Sequence, residues 1–503
     1  MNSRLCWSLM TIRPSSRLSS TLSQCSPRKR DSARVIRTCP LIKHGIAEKR
    51  WSEPEFPHVS GSAPSVKQAG SLSRRPRGLD PARVGGDISL VISVAEAIAQ
   101  VLSDVVPLAA EEVGIAVARG RVLAREVVAG IDIPPFRNSQ MDGFAVRSAD
   151  LAGSSDAAPV RLRVVATIAA GDAPEGTVGS GEAIRIMTGG ALPEGADAVV
   201  KVEDTSTDGS TVAVRHAPHP GEFVRPVGED LRAGDRVLEV GRVLRPADIG
   251  LIASLGLPTV RVAVRPRVAV LATGDELVDL GRPLAPGRIY NSNAYTLAAA
   301  VEEVGGDAVV FGIVRDTRDA LREAFAATRG FDAVLSTGGV SVGDFDFVKE
   351  VMDEQGLERR FWQVAQKPGK PITFAARDGR LYFGLPGNPV SSLVCFELYV
   401  APALRRALGM KHVHAPTVEV VMERSVRTAK GLCELVRCTL RRDGDVLLAS
   451  PTGTQSSGVL RSLSLADCLA ISPPGIDELA AGSRVTALRI GPVHTPSPEH
   501  PFA

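Results

Sequence analysis

Three loops of this chain carry carboxylates directly after short apolar runs. "ATGDEL" (272–277) holds Asp275 and Glu276, "IVRDTR" (313–318) holds Asp316, and "STGGVSVGDFDF" (336–347) holds Asp344 and Asp346. A fourth loop, "GLPGNPVSS" (384–392), offers Gly387, Asn388 and Ser391 without an acid. Glycines let backbone N–H groups approach a phosphate or a polar ring closely, and a following helix N-terminus favours an anion. Carboxylates at the same place would repel a phosphate unless a Mg²⁺ ion stood between them. These residue types therefore imply a phosphorylated ligand held together with Mg²⁺. The glycine order is not the GxGxxG of dinucleotide folds, and no GxxxxGK[ST] loop is present.

Each residue also has an ordinary structural role open to it. Asp344 is placed to cap a helix beginning near Phe345, and Asp346 to favour its first turn. Asp316 could cap a helix beginning near Thr317, and Glu276 could be a solvated turn residue. Asn388 before Pro389 has the form of an N-cap with proline at the first helical position. "QKPGKP" (366–371) puts Lys367 and Lys370 around a Pro-Gly turn, an exposed turn by itself but an anion clamp beside a phosphate. Asp142 sits in a tight Met-Asp-Gly turn. "IMTGGALPEGADAVVKVED" (186–204) carries Thr188, Glu203 and Asp204 in a pattern that also reads as a plain β-domain loop.

Regular elements must hold these loops. From Arg265 onward, strand, glycine turn and helix alternate: "RVAVLATGDE", "AYTLAAAVEEVGG", "DAVVFGIV", "TRDALREAFAATRG", "FDAVLSTGG", "DFVKEVMDEQG" and "LYFGLPGNPVSSLVCFELYVAPAL". Such alternation predicts a parallel sheet with helices on both faces, with the loops gathered beyond the carboxyl ends of the strands. Upstream, Ser93 and Glu96 form a capping-box signal, and a helical pattern runs to about Val128. Residues 160–227 alternate in short runs and predict a small β domain; 247–264 predict a short helix and a strand. After Lys411, short strands predict a small all-β domain or barrel.

Composition limits the function class. Residues 1–85 hold 16 basic and 5 acidic residues; the remainder holds 43 basic and 51 acidic ones. The basic charge therefore belongs to the N-terminal stretch, and the acidic body gives no reason to expect nucleic acid. The seven cysteines show no CxxC or Cys/His ligand spacing, so no zinc site is expected. No apolar run reaches the roughly 18 residues of a membrane span. The first 30 residues lack acids and are rich in Ser and Arg, a composition shared by mitochondrial transit peptides, disordered arms and sequence upstream of a true start. We favour the last two, and a cytoplasmic location.

The ordered set "PPFRNSQMDGFAV", "MTGGALPEGADAVV", "GED" (228–230), "TGDEL", "GRIYNSN", "STGGVSVGDFDFVK", "QKPGKP", "GLPGNPVSS" and "GTQSSGVLRSLSLADCLAISP" resembles the molybdopterin molybdenumtransferases of the MoeA type, found also as the C-terminal part of gephyrin. The resemblance runs from about Ile88 to Ile490. It implies a multidomain α/β plus β fold: residues 1–87 as a basic, disordered extension, 88–136 and 228–264 as a split elongated dimerisation domain, and 137–227 as an inserted β domain. It further implies 265–410 as the molybdopterin-binding α/β domain, 411–491 as a C-terminal β-barrel domain and 492–503 as a disordered tail.

The implied reaction takes adenylylated molybdopterin and molybdate, requires Mg²⁺, inserts molybdenum and releases AMP. Carried over residue by residue, the catalytic acids are Asp142, Asp230, Glu276, Asp316 and Asp346, with Glu276, Asp316 and Asp346 as Mg²⁺ ligands. Thr188, Thr337, Gly338, Gly339, Ser341, Pro386, Gly387, Asn388 and Pro389 contact substrate, and Lys367 and Lys370 assist its anions. Asp142, Thr188 and Asp230 lie outside the α/β domain, which implies a site shared between subunits of a homodimer. A molybdopterin adenylyltransferase and cofactor-free molybdoenzymes are the implied transient partners, with no nucleic acid and no membrane. Arg137, Phe144 and Gln363 stand where the family often has Asp, Tyr and, in some members, Lys. Two other readings are a gephyrin-like scaffold, which the chain lacks the extra domains to support, and an adenylyltransferase, which is usually the α/β domain alone.

Overall fold

The computed structural model describes residues 91–173, 176–339 and 347–490 and the backbone of residues 37–38; for Phe347 and Lys349 it describes the backbone alone. Its centre is the α/β domain. The elements in chain order are β1 (Arg267–Thr273), α1 (Ser292–Val304), β2 (Asp307–Val314), α2 (Arg318–Ala327), β3 (Ala333–Thr337), α3 (Phe347–Glu354), β4 (Glu358–Gln363), β5 (Pro371–Arg377), β6 (Arg380–Leu385) and α4 (Pro389–Cys395). The sheet order is β2-β1-β3-β6-β5-β4, with the two-residue strand Arg37–Thr38 outside β2.

β2, β1, β3 and β6 are parallel, while β5 and β4 add an antiparallel edge. The parallel strands are near-continuous Val, Ala and Leu runs because helices bury both faces. Phe325, Val348, Val351 and Met352 of α2 and α3 close one face against Leu271, Phe311, Val334 and Tyr382. The strand–helix alternation expected from Arg265 is thus present, and the helices end where turn chemistry demands. Gly305 closes α1 in the left-handed region at φ 100°.

Two capping expectations are corrected. Thr317, not Asp316, caps α2, its side chain accepting from the Ala320 N–H. Asn388 occupies the N-cap position of α4 before Pro389, but its side chain makes no capping hydrogen bond. The capping roles open to Asp344 and Asp346 lie outside the described residues. α3 is described from Phe347 onward.

The helical pattern expected to run to Val128 is also corrected. The helix Val94–Ser103 has the Ser93–Glu96 capping box but ends four residues before Pro107. Ala110–Gly114 is then a strand, paired antiparallel with Thr259–Ala263. The apolar residues that mimic a helical period beyond it, such as Leu123 and Val127, pack with Leu244, Ile252 and Val262 in a core built from two distant stretches of sequence. The helix itself rests on the α/β domain. Ile92 donates to the Gln363 carbonyl at 3.1 Å, and Arg360 grips Asp104 at 2.8 and 3.0 Å.

The predicted β region forms a six-stranded sheet in the order Ala198–Lys201, Gly143–Val146, Glu182–Ile186, Val160–Ile168, Thr211–Val214, Thr205–Thr207. The C-terminal strands close a barrel. Cys433–Asp443 pairs with Val446–Pro451 on one side and Cys468–Ser472 on the other, and Thr417–Met422 and Arg484–Arg489 complete the ring of five. Gln366–Lys367 adds to this barrel in parallel with Cys433–Glu434, so one short strand ties it to the α/β domain.

Candidate active site

Because β1, β2, β3 and β6 run parallel, Thr273, Val314, Thr337 and Leu385 end on one edge of the sheet. A cavity of about 640 Å³ opens there. It is lined by Thr273, Glu276, Asp316, Thr337, Gly338, Gly339, Pro386, Gly387, Asn388 and Pro389, among others. The glycines are sterically required. A Cβ on Gly338 (φ 96°) would stand 2.4 Å from the Thr273 carbonyl oxygen, and one on Gly339 (φ 64°) 2.9 Å from a Val348 methyl. No L side chain fits either place, so bare backbone faces the cavity.

Asp316 is the acid most shaped by this setting. Burial pushes its carboxyl above the usual carboxylate range, and the charges of Glu276 and Asp275 push it the same way. Hydrogen bonds from the Thr273 hydroxyl and the Asp275 backbone only partly offset this. Crowded carboxylates of this kind favour a proton or a cation between them. Oxygen donors from two loops suit a hard divalent ion that keeps part of its water shell. Among the described residues no group of three metal-ligating side chains is assembled. Asp346, the third expected ligand, lies outside the described residues, as does Ser341.

Sequence reasoning passed over Asn293. Its side-chain nitrogen donates to Thr337 Oγ1 at 2.8 Å and to the Gly387 carbonyl at 2.7 Å. The signal was present in "GRIYNSN", where Asn291 caps α1 and leaves Asn293 in the first turn beside the strand ends. The barrel's contribution to the cavity was passed over as well. Gly458 lines the cavity, and the Ser457 carbonyl accepts from the Val390 N–H at 3.2 Å. Arg437, fully buried, donates to the Ser462 hydroxyl and to the Thr454 and Ser456 carbonyls, shaping the loop that carries Gly458.

Of the expected site residues the structure describes, Asp142, Thr188, Asp230, Lys367 and Lys370 do not line the cavity. Asp142 lies in the β domain, where its carboxylate accepts from the backbone N–H and the hydroxyl of Thr188, both at 2.7 Å. The backbone bond, then the hydroxyl bond, hold its carboxyl below the usual range, with a small further pull from Arg185 against slight desolvation. Asp230 is exposed in a turn whose backbone bonds Ile133. Lys367 pairs with Glu434 of the barrel at 3.0 Å. Glu434 is 2 % exposed, so the lysine neutralises a buried carboxylate rather than facing an open clamp. Lys370 is exposed beside Pro371, which does line the cavity. Phe144 is 1 % exposed in the β-domain core.

Known proteins share this sequence and architecture. Residues 92–256 match the "MoeA N-terminal region (domain I and II)", 269–406 the "Probable molybdopterin binding domain", and 419–490 the "MoeA C-terminal region (domain IV)". A molybdopterin molybdenumtransferase of a Nostoc species is 39% identical over 379 residues, 74% of this chain and 87% of that protein. One from Staphylococcus epidermidis is 35% identical over 400 residues, 79% of this chain and 95% of that protein. The crystal structure of the molybdopterin biosynthesis moeA protein of Pyrococcus horikoshii superposes with a TM-score of 0.70 at 32% identity, covering 79% of this chain and 99% of that one. On its sequence, its three matched regions and its fold, the chain belongs to the MoeA family of molybdopterin molybdenumtransferases.

Proposed function

We propose that this protein inserts molybdenum from molybdate into adenylylated molybdopterin in a Mg²⁺-dependent reaction that releases AMP. The observation carrying this reading is the meeting of bare-backbone glycine loops with the Glu276–Asp316 pair in one cavity. We assign Thr337, Gly338, Gly339 and Ser341 to the pterin phosphate; Pro386, Gly387, Asn388 and Pro389, on the neighbouring loop, line the same cavity. Glu276, Asp316 and Asp346 hold Mg²⁺, which supplies neutralisation of phosphoanhydride charge when bound. Mg²⁺ usually takes one or two carboxylates plus phosphate oxygens, which suits acids on separate loops. Lys370 meets the substrate anions directly; Lys367 does so by leaving Glu434.

Asp142, Thr188 and Asp230 come from a second copy in a homodimer. Exposed Val128, Ile131, Phe136, Val227, Val240 and Val243 support self-association through the stretches 127–136 and 227–243, and we propose the domain division stated for the family. Among the described residues no helix is long and apolar enough to cross a membrane. A cytoplasmic setting, with an adenylyltransferase upstream and cofactor-free molybdoenzymes downstream, completes the reading.

The test gives the full chain adenylylated molybdopterin and Mg²⁺, with and without molybdate. AMP release and activation of a cofactor-free molybdoenzyme are followed. Molybdate-dependent release that disappears in Asp142→Ala and Glu276→Ala is expected. Tight binding without turnover by the wild type would favour a scaffold, and synthesis of the adenylate from ATP would favour an adenylyltransferase.

A further inference from the structure

Asn293 reaches both neighbouring loops that follow β3 and β6, and its contacts fix the polarity of its amide. The Gly387 carbonyl can only accept, so the atom 2.7 Å from it is the amide nitrogen. Thr337 Oγ1 lies 3.2 Å from the Pro386 carbonyl, which also only accepts, so the threonine hydrogen goes there. Toward Asn293 the hydroxyl is left as an acceptor, and the second amide hydrogen meets it at 2.8 Å. Turning the amide over would set oxygen against the Gly387 carbonyl and draw the threonine hydrogen away from Pro386. Thr337 is 2 % exposed, so solvent offers little replacement.

The loops this brace joins have no side chains of their own at their closest approach. A Cβ on Gly387 would lie 3.7 Å from Gly338 Cα. The start of α1 is itself anchored by Asn291, 2 % exposed, whose side chain accepts from the Ala294 N–H at 3.3 Å. The amide of Asn293 is therefore presented at a set height above the strand ends.

We infer that Asn293 is a positioning residue: its amide ties Thr337, at the start of the Gly338-Gly339 turn, to Gly387, and so fixes how these two neighbouring loops sit against each other beyond the Gly338–Leu385 backbone bond, where they receive the phosphorylated ligand. This rests on the reading of the cavity as the substrate site. Removing the amide lets the two loops separate, so ligand binding weakens before the chemical step does. Because the brace acts through Thr337, losing both partners costs no more than losing the worse one.

The experiment compares the full-length wild type with Asn293→Leu, Thr337→Val and the double variant. KM and kcat are measured for molybdate-dependent AMP release, and Tm for each protein. Asn293→Leu is expected to raise KM about tenfold and Thr337→Val about fivefold, as for one or two lost hydrogen bonds. The double variant is expected to stay near tenfold in KM with Tm within a few degrees, as for non-additive partners, while Asn293→Leu alone keeps kcat within about threefold of wild type. A double variant near the product of the single effects, about fiftyfold, would overturn the inference. So would KM changes that follow Tm. If the wild type releases no AMP, the functional reading has failed instead. Fluorescence titration of molybdopterin against the same four proteins then reads the same coupling in Kd.

Discussion

Asp316 and Asp142 are the same residue type placed in opposite electrostatic situations. Asp316 is partly buried beside Glu276 and Asp275, and its charged form is disfavoured. Asp142 is exposed, takes two hydrogen bonds from Thr188, and its charged form is favoured. The first arrangement calls for a positive partner, and no ion pair among the described residues supplies one to Asp316. The second is already satisfied by neutral donors and is held ready as an anion. Acids that look equivalent in sequence thus divide into one group suited to a cation and one suited to orienting or polarising a neutral or cationic group.

The strongest test of this contrast is Asp316→Asn. A folded pKa above the unfolded one means that ionised Asp316 costs stability. That cost builds as pH rises from the ordinary carboxylate value through the raised one and is fully relieved only below the ordinary value. The variant should therefore keep or slightly raise Tm at neutral pH while losing roughly a hundredfold or more in AMP release. A clear drop in Tm would instead make Asp316 a structural residue. Next in size is the response to Mg²⁺. Saturating Mg²⁺ should raise the wild-type Tm by roughly 2–4 °C, and the shift should vanish in Asp316→Asn. Equal shifts in both proteins would place the ion elsewhere.

The smallest expected effect concerns the satisfied acid. Thr188→Val removes the hydroxyl bond to Asp142 and keeps the backbone one. AMP release should fall roughly fivefold, the size of one lost hydrogen bond. Asp142 has a depressed folded pKa, so its ionised form is lost only as pH falls through that low value. Without the hydroxyl the loss comes at higher pH, and the acid limb of the rate profile should move upward. An unmoved limb would mean that the ionisation of Asp142 does not limit the reaction.

The legibility of the fold varied with how local its causes are. β2 could be read to the residue from its unbroken apolar run, and α1 to within two residues because Gly305 marks its end, while its cap Asn291 passed unnoticed. The stretch after Ser103 could not. Its apolar spacing also fits a helix, and only pairing with Thr259–Ala263, well over a hundred residues away, decides for a strand. β4 and β5 flank "QKPGKP", whose turn residues hide the antiparallel edge. In the site, glycines and acids stood out by type. Asn293 and Gly458 did not, since an asparagine in a helix's first turn and a glycine in a serine-rich loop have ordinary uses.

By itself the sequence determined which loops hold glycines and acids, the order of strands and helices that carries them, and the family to which the chain belongs. Those properties depend on residue type and on spacing along the chain. The tertiary structure alone decided which acids share a cavity, that Lys367 is paired with a buried glutamate, and that the barrel lends a wall to the pocket. These depend on which distant segments meet. The raised pKa of Asp316 follows first from its burial and then from the acids beside it at the sheet edge, and its position in the chain says nothing of either.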